Sequence, residues 1–134
     1  MKPMFPLVAL IWAASAAAAT PAELLSAYRT EAAGQASGFQ SSAQRGADFH
    51  VRQFGISAKL ASCASCHTDQ PEQAGRHVVT NKAIKPLAPS ANAERFSDPA
   101  KVEKWFKRNC TEVVGRECSA AEKADYIDYV TRGR

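Results

Sequence analysis

Methionine disappears from the sequence after Met4, and histidine occurs only at His50, His67 and His77. Any site built on a thioether sulfur would have to draw it from the extreme N-terminus. No stretch beyond the N-terminal segment is long and apolar enough to span a bilayer. A convincing strand run is also missing, which argues against a thioredoxin-like or other sheet-based architecture. There are no internal repeats, and no low-complexity tract follows residue 19. The balance of 17 Lys and Arg against 13 Asp and Glu leaves a formal charge of +4, too mild to indicate a nucleic-acid binder. Cysteine is scarce. Cys63 and Cys66 form one close pair, but Cys110 and Cys118 are separated by seven residues, so the second pair expected of a structural zinc site is lacking.

What is present is Cys63-Ala64-Ser65-Cys66-His67. A Cys-x-x-Cys-His run is the attachment signature of c-type haem. One helical turn presents two thiols to neighbouring vinyl groups, which they bind as thioethers, and the adjoining imidazole becomes the proximal iron ligand. The expected cofactor is one covalently bound haem c, on Cys63, Cys66 and His67.

The N-terminus fits this chemistry. Lys2 precedes the apolar run from Leu7 to Trp12 and then an alanine-rich stretch to Ala19, the pattern of a secretory signal peptide. Cleavage after Ala19 would leave a single domain, residues 20–134, of about 115 residues, and loss of Lys2 would lower the formal charge from +4 to +3. A periplasmic location follows as an expectation, since haem is attached to such chains outside the cytoplasm, with no membrane span left after cleavage.

The remaining pattern is helical. Thr20-Pro21-Ala22-Glu23 predicts a capping box, followed by Leu24, Leu25, Tyr28 and Ala32 on one face and a stop near Gly34 and Gly38. A second helix is expected from Ser41 or Ser42 to Gln53, with Gly46 allowing another helix close approach. The segment from Thr68 to Pro86 reads as a loop along one haem edge, and Leu87 to Ser90 as extended chain. Asp98 and Pro99 open a helix to about Asn109, with Val102, Trp105, Phe106 and Asn109 on one face. Ser119-Ala120-Ala121-Glu122 caps a final helix through Tyr126, Ile127 and Val130. The terminal helices should cross near Gly46. The fold class is all-α: class I cytochrome c-like helices around one haem, with an extra N-terminal helix.

Without methionine in the mature chain, the sixth iron position is open to other candidates. These are His50, placed on a helix expected to pack away from the iron, His77 in a polar loop, a lysine, Asn109, or no protein ligand at all.

From Cys63 onward the sequence resembles the sphaeroides haem protein (SHP) family of asparagine-ligated monohaem cytochromes c. The resemblance is carried by the haem motif, Ala74-Gly75, Lys82 to Ser90, Glu94-Arg95-Phe96, Lys101 to Cys110 (KVEKWFKRNC), Gly115-Arg116-Glu117-Cys118 and Glu122 to Asp125. It is strong over about half the chain and weaker around Arg45-Gly46; near Phe49 the pattern departs, with His50 in the next place. It implies that Asn109 is the sixth ligand, bound weakly through its amide oxygen to ferric iron and lost on reduction. A hard neutral oxygen suits Fe(III) better than Fe(II). It also implies a Cys110–Cys118 disulfide, which suits an exported chain.

Implied as partners are small diatomic gases and a di-haem cytochrome c linked to a membrane cytochrome b. The basic residues Lys82, Lys85, Lys101, Lys104, Lys107 and Arg108 could offer an acidic partner a docking rim. The expected role is electron transfer with oxygen, nitric oxide or carbon monoxide binding at ferrous haem. The alternatives are a haem enzyme or sensor acting as a terminal reductase, and a plain bis-ligated carrier. No catalytic residue is identifiable, and a dedicated enzyme is the weaker reading.

Overall fold

Side-chain caps set the starts of the four longer helices. The computed structural model describes residues 18–132, so all of the expected signal peptide except Ala18 and Ala19 lies outside the described residues. Helix α1, Pro21–Gln35, opens on the reciprocal Thr20–Glu23 capping box with proline in its first turn. Helix α2, Ala43–Val51, opens on Ser42, whose hydroxyl accepts from the Arg45 amide. Helix α3, Ala64–His67, is the single turn holding the Cys-x-x-Cys-His motif. A small antiparallel hairpin follows, β1 Gly75–Arg76 and β2 Ala83–Ile84, pairing Gly75 with Ile84 and Arg76 with Ala83. Helix α4, Pro99–Val113, starts at Asp98, and helix α5, Ala120–Arg132, starts where Ser119 and Glu122 cap each other.

The core forms where α5 lies across α2 and α1. Ile127, Val130 and Tyr129 are at most 1% exposed, and an aliphatic side chain so placed stabilises by about 1.5–3 kcal/mol. Leu24, Leu25 and Tyr28 of α1 join the same cluster, as do Phe49 of α2 and Val102 of α4. Edge-to-face contacts run from Tyr28 to Phe106, Phe106 to Tyr126, Tyr126 to Phe49 and Phe49 to Phe54.

Two buried carboxylates tie the α1–α2 linker to α5. Asp125 accepts from the Ser42 amide at 2.7 Å and from the Arg45 guanidinium at 2.7 and 2.8 Å. Asp128 accepts from the Ser41 hydroxyl at 2.6 Å. A buried charge needs such partners, because an uncompensated one costs several kcal/mol.

The architecture is helical as expected, with four local corrections. The segment read as loop contains the hairpin, whose two-residue strands are too short to leave an alternating pattern. Helix α2 ends at Val51 rather than residue 53, and α4 runs past Asn109 to Val113, its stop being Gly115 at φ +83°. Residues 87–92 turn rather than extend, since the Ala91 and Asn92 amides both donate to the Ala88 carbonyl. Among the described residues no helix is long and apolar enough to cross a membrane.

Candidate haem site

The motif turn is closed by its own backbone. The Cys66 and His67 amides donate to the Cys63 carbonyl at 3.2 and 3.1 Å, and Ser62 and Ser65 brace the turn from outside. Three residues apart on one turn, Cys63 and Cys66 share a face, and both are free thiols. Burial pushes the Cys63 thiol up to about 11, with the neighbouring Cys66 adding to the shift.

His67 is pulled the other way. Burial, reinforced by His50, Arg95 and His77, lowers its imidazole to about 4. The ring is therefore neutral at physiological pH, the form whose lone pair can bind a metal. No described residue hydrogen-bonds it. Two free thiols on one face beside a neutral imidazole are the donor set a haem c needs. Cys63 and Cys66 would hold its vinyl-derived carbons and His67 its iron. Among the described residues no group of three or more His, Cys, Asp or Glu side chains able to hold a metal ion is assembled.

The hairpin closes on the motif from one side. A Cβ atom at Gly75 would lie 2.0 Å from the Cys66 carbonyl oxygen, so only glycine allows this approach. The Val78 amide then points at the Cys66 sulfur, 3.4 Å away. Behind the hairpin, the Pro71 carbonyl accepts from the Leu87 and Ala88 amides. Arg95, half-buried, donates to the Pro86 and Lys85 carbonyls at 2.8 and 2.7 Å and so pins this loop beside His67.

Other predicted site residues divide clearly. His77 has its Nδ1 occupied, accepting from the Val79 and Thr80 amides, both at 3.2 Å, which leaves Nε2 as its one nitrogen for another partner. His50 is fully buried, with Nε2 2.7 Å from the Thr68 carbonyl and Nδ1 3.1 Å from the Tyr126 hydroxyl. On α4 the buried line is Val102, Cys110 and Val113, with Phe106 partly covered. Trp105 and Asn109 occupy the neighbouring, exposed strip, Trp105 being 42% exposed and under the Arg108 guanidinium. Asn109 therefore lies beside the strip that α4 buries against the protein core. The next residue, Cys110, is joined to Cys118 by a disulfide with a Cα–Cα distance of 5.7 Å.

Of the six basic rim residues, three are paired at the surface: Lys85 with Glu94, Lys107 with Glu117 and Arg108 with Glu112. Exposed pairs of this kind contribute little to stability. Sequence reasoning missed Arg95, Gly75 and the His50–Tyr126 contact as parts of the site. Only Gly75 left a signal, as the one glycine between Thr68 and Pro86.

Residues 36–130 match the family described as a domain of unknown function, DUF1924. The cytochrome c-type protein SHP of Cereibacter sphaeroides is 42% identical over 112 residues, covering 83% of this chain and 82% of that protein. The chain belongs to this family of monohaem cytochromes c. Cytochrome c'' of Methylophilus methylotrophus is 49% identical over 74 residues, which span 55% of this chain and 51% of its own length. The structure of oxidised SHP, an oxygen-binding cytochrome c, aligns with a TM-score of 0.76 at 39% identity, covering 85% of this chain and 97% of that one. Oxidised cytochrome c'' aligns with a TM-score of 0.78 at 36% identity, covering 85% and 94%. The all-α cytochrome fold and the single covalent haem c are those of the family.

Proposed function

We propose that this protein is a periplasmic cytochrome that carries single electrons and opens its haem to diatomic gases on reduction. A bound haem c would supply one-electron iron chemistry. His67 would hold the iron through its imidazole in both oxidation states. Asn109 would offer its amide oxygen to the ferric iron and give it up on reduction, leaving room for oxygen, nitric oxide or carbon monoxide.

One observation carries this reading: in a chain without methionine after Met4, Asn109 is exposed on α4 beside Trp105 and immediately precedes the disulfide-linked Cys110. Support comes also from the relatives, since SHP binds oxygen and the solution structure of cytochrome c'' concerns haem-ligand detachment. His77 is the poorer candidate because its Nδ1 already holds the turn of its own hairpin. The electron donor is a di-haem cytochrome c linked to a membrane cytochrome b, received by the basic surface of Lys82, Lys101 and Lys104. The signal peptide is removed near Ala19.

Replacing Asn109 with alanine tests the assignment. The ferric spectrum should change to that of an open or water-bound haem, and a ferric spectrum identical to wild type would sink it.

A further inference from the structure

Immediately after His67 the chain does something costly. Thr68 adopts φ +62° and ψ 179°, a conformation that is almost confined to glycine and is worse for a β-branched residue. Such strain persists only where the surroundings over-determine it. Here the two carbonyls that follow His67 are each held by a side chain from the core. His50 Nε2 lies 2.7 Å from the Thr68 oxygen, and the Tyr129 hydroxyl donates to the Asp69 oxygen at 3.2 Å.

The chemistry of the His50 contact is fixed by elimination. A carbonyl can only accept, so Nε2 carries the proton. The other ring nitrogen, Nδ1, lies 3.1 Å from the Tyr126 hydroxyl. The ring is 0% exposed, lying between Tyr126 and Tyr129 at centroid distances of 5.7 and 5.5 Å. A phenyl ring would fill this volume equally well but would lack the Nε2 donor. A histidine here therefore does something beyond packing.

We propose that His50 is a positioning residue for the iron-binding His67: from the α2–α5 crossing it holds the strained Thr68 turn and thereby fixes the line along which the proximal imidazole reaches the iron. This rests on His67 being the proximal ligand. It would matter most in the ferrous protein, where His67 would be the one protein bond to iron once Asn109 had withdrawn. Nitric oxide on the iron would weaken that bond, and the clamp would decide how firmly His67 stays in place.

The test uses holoprotein carrying His50→Phe or His50→Gln, with haem attachment in each checked by its pyridine haemochrome. A failure of attachment in the wild type would overturn the haem reading itself, separately from this proposal. Two readouts follow: the iron–histidine stretching band of the dithionite-reduced protein, and the five-coordinate fraction of its nitric oxide adduct by electron paramagnetic resonance. His50→Phe should shift the band and raise the five-coordinate fraction severalfold. His50→Gln, which keeps an N–H donor, should move both less. Lower thermal stability with both readouts unchanged would overturn the proposal and leave His50 as packing.

Should His50→Phe fail to fold, Tyr129→Phe removes the hydroxyl on the next carbonyl, and the same readouts decide. Thr68→Gly gives an independent arm, because glycine takes this backbone freely. In that background His50→Phe should cost less stability than in the wild type, and equal losses would contradict the clamp.

Discussion

Gly46 faces the backbone carbonyl of Asp125 so closely that a Cβ atom at position 46 would lie 2.1 Å from its oxygen, and 2.8 Å from the Tyr129 Cβ. The crossing of α2 and α5 depends on this absence of a side chain. Because the obstacle is backbone, it cannot rotate aside. Gly46→Ala should therefore sit at or above the upper end of the usual overpacking cost, about 3 kcal/mol. Thermal unfolding of the holoprotein should show a midpoint lowered by more than 10 °C, roughly, for a domain of this size. An unchanged midpoint would mean that the helices do not cross there.

Much of this arrangement was legible in the sequence because its signals are local. Thr20 with Glu23, Asp98 with Pro99, and Ser119 with Glu122 each mark a helix start within four residues, and each cap forms. Gly46 announced a close approach, and α5 is the helix that makes it. The haem motif is equally compact. What escaped was set by distant partners. His50 meets Tyr126, 76 residues away, and nothing near position 50 distinguishes a buried donor from a solvated ring. The length of α4 was misjudged because Asn109 looked like a helix end. The helix instead continues to bury Cys110 and Val113. The hairpin is held by Gly75 against Cys66, a tertiary contact rather than a periodicity.

The Glu122 cap gives a pH prediction. Arg116 donates to both carboxylate oxygens, at 2.8 and 2.7 Å, and holds Glu122 below the ordinary carboxylate range despite its partial burial. A carboxylate with a lowered folded-state pKa contributes stability above its unfolded value, and loses it as pH falls through the folded one. Glu122→Gln should therefore lower stability at pH 7, by about 0.5–1 kcal/mol given solvent screening. The gap should close toward zero near pH 3, as urea unfolding of both proteins would show. A gap independent of pH would contradict the charge-based account.

The Cys110–Cys118 bridge closes a short loop between α4 and α5. Chain-entropy arguments assign a loop of this length about 2.5 kcal/mol. The double variant Cys110→Ser with Cys118→Ser should lose about that much in denaturant unfolding. It should also loosen Asn109, the residue before the bridge, visible as a larger high-spin fraction in the ferric spectrum. A stability loss with an unaltered ferric spectrum would separate the bridge from the ligand.

The proposal that Asn109 releases the ferrous iron is tested most directly by the visible spectrum of the dithionite-reduced protein before and after carbon monoxide. An open ferrous site gives a large Soret shift when the gas is added. A sharp low-spin spectrum that the gas leaves unchanged would mean that a strong protein ligand, His77 foremost, stays on the iron, and would contradict the proposed release.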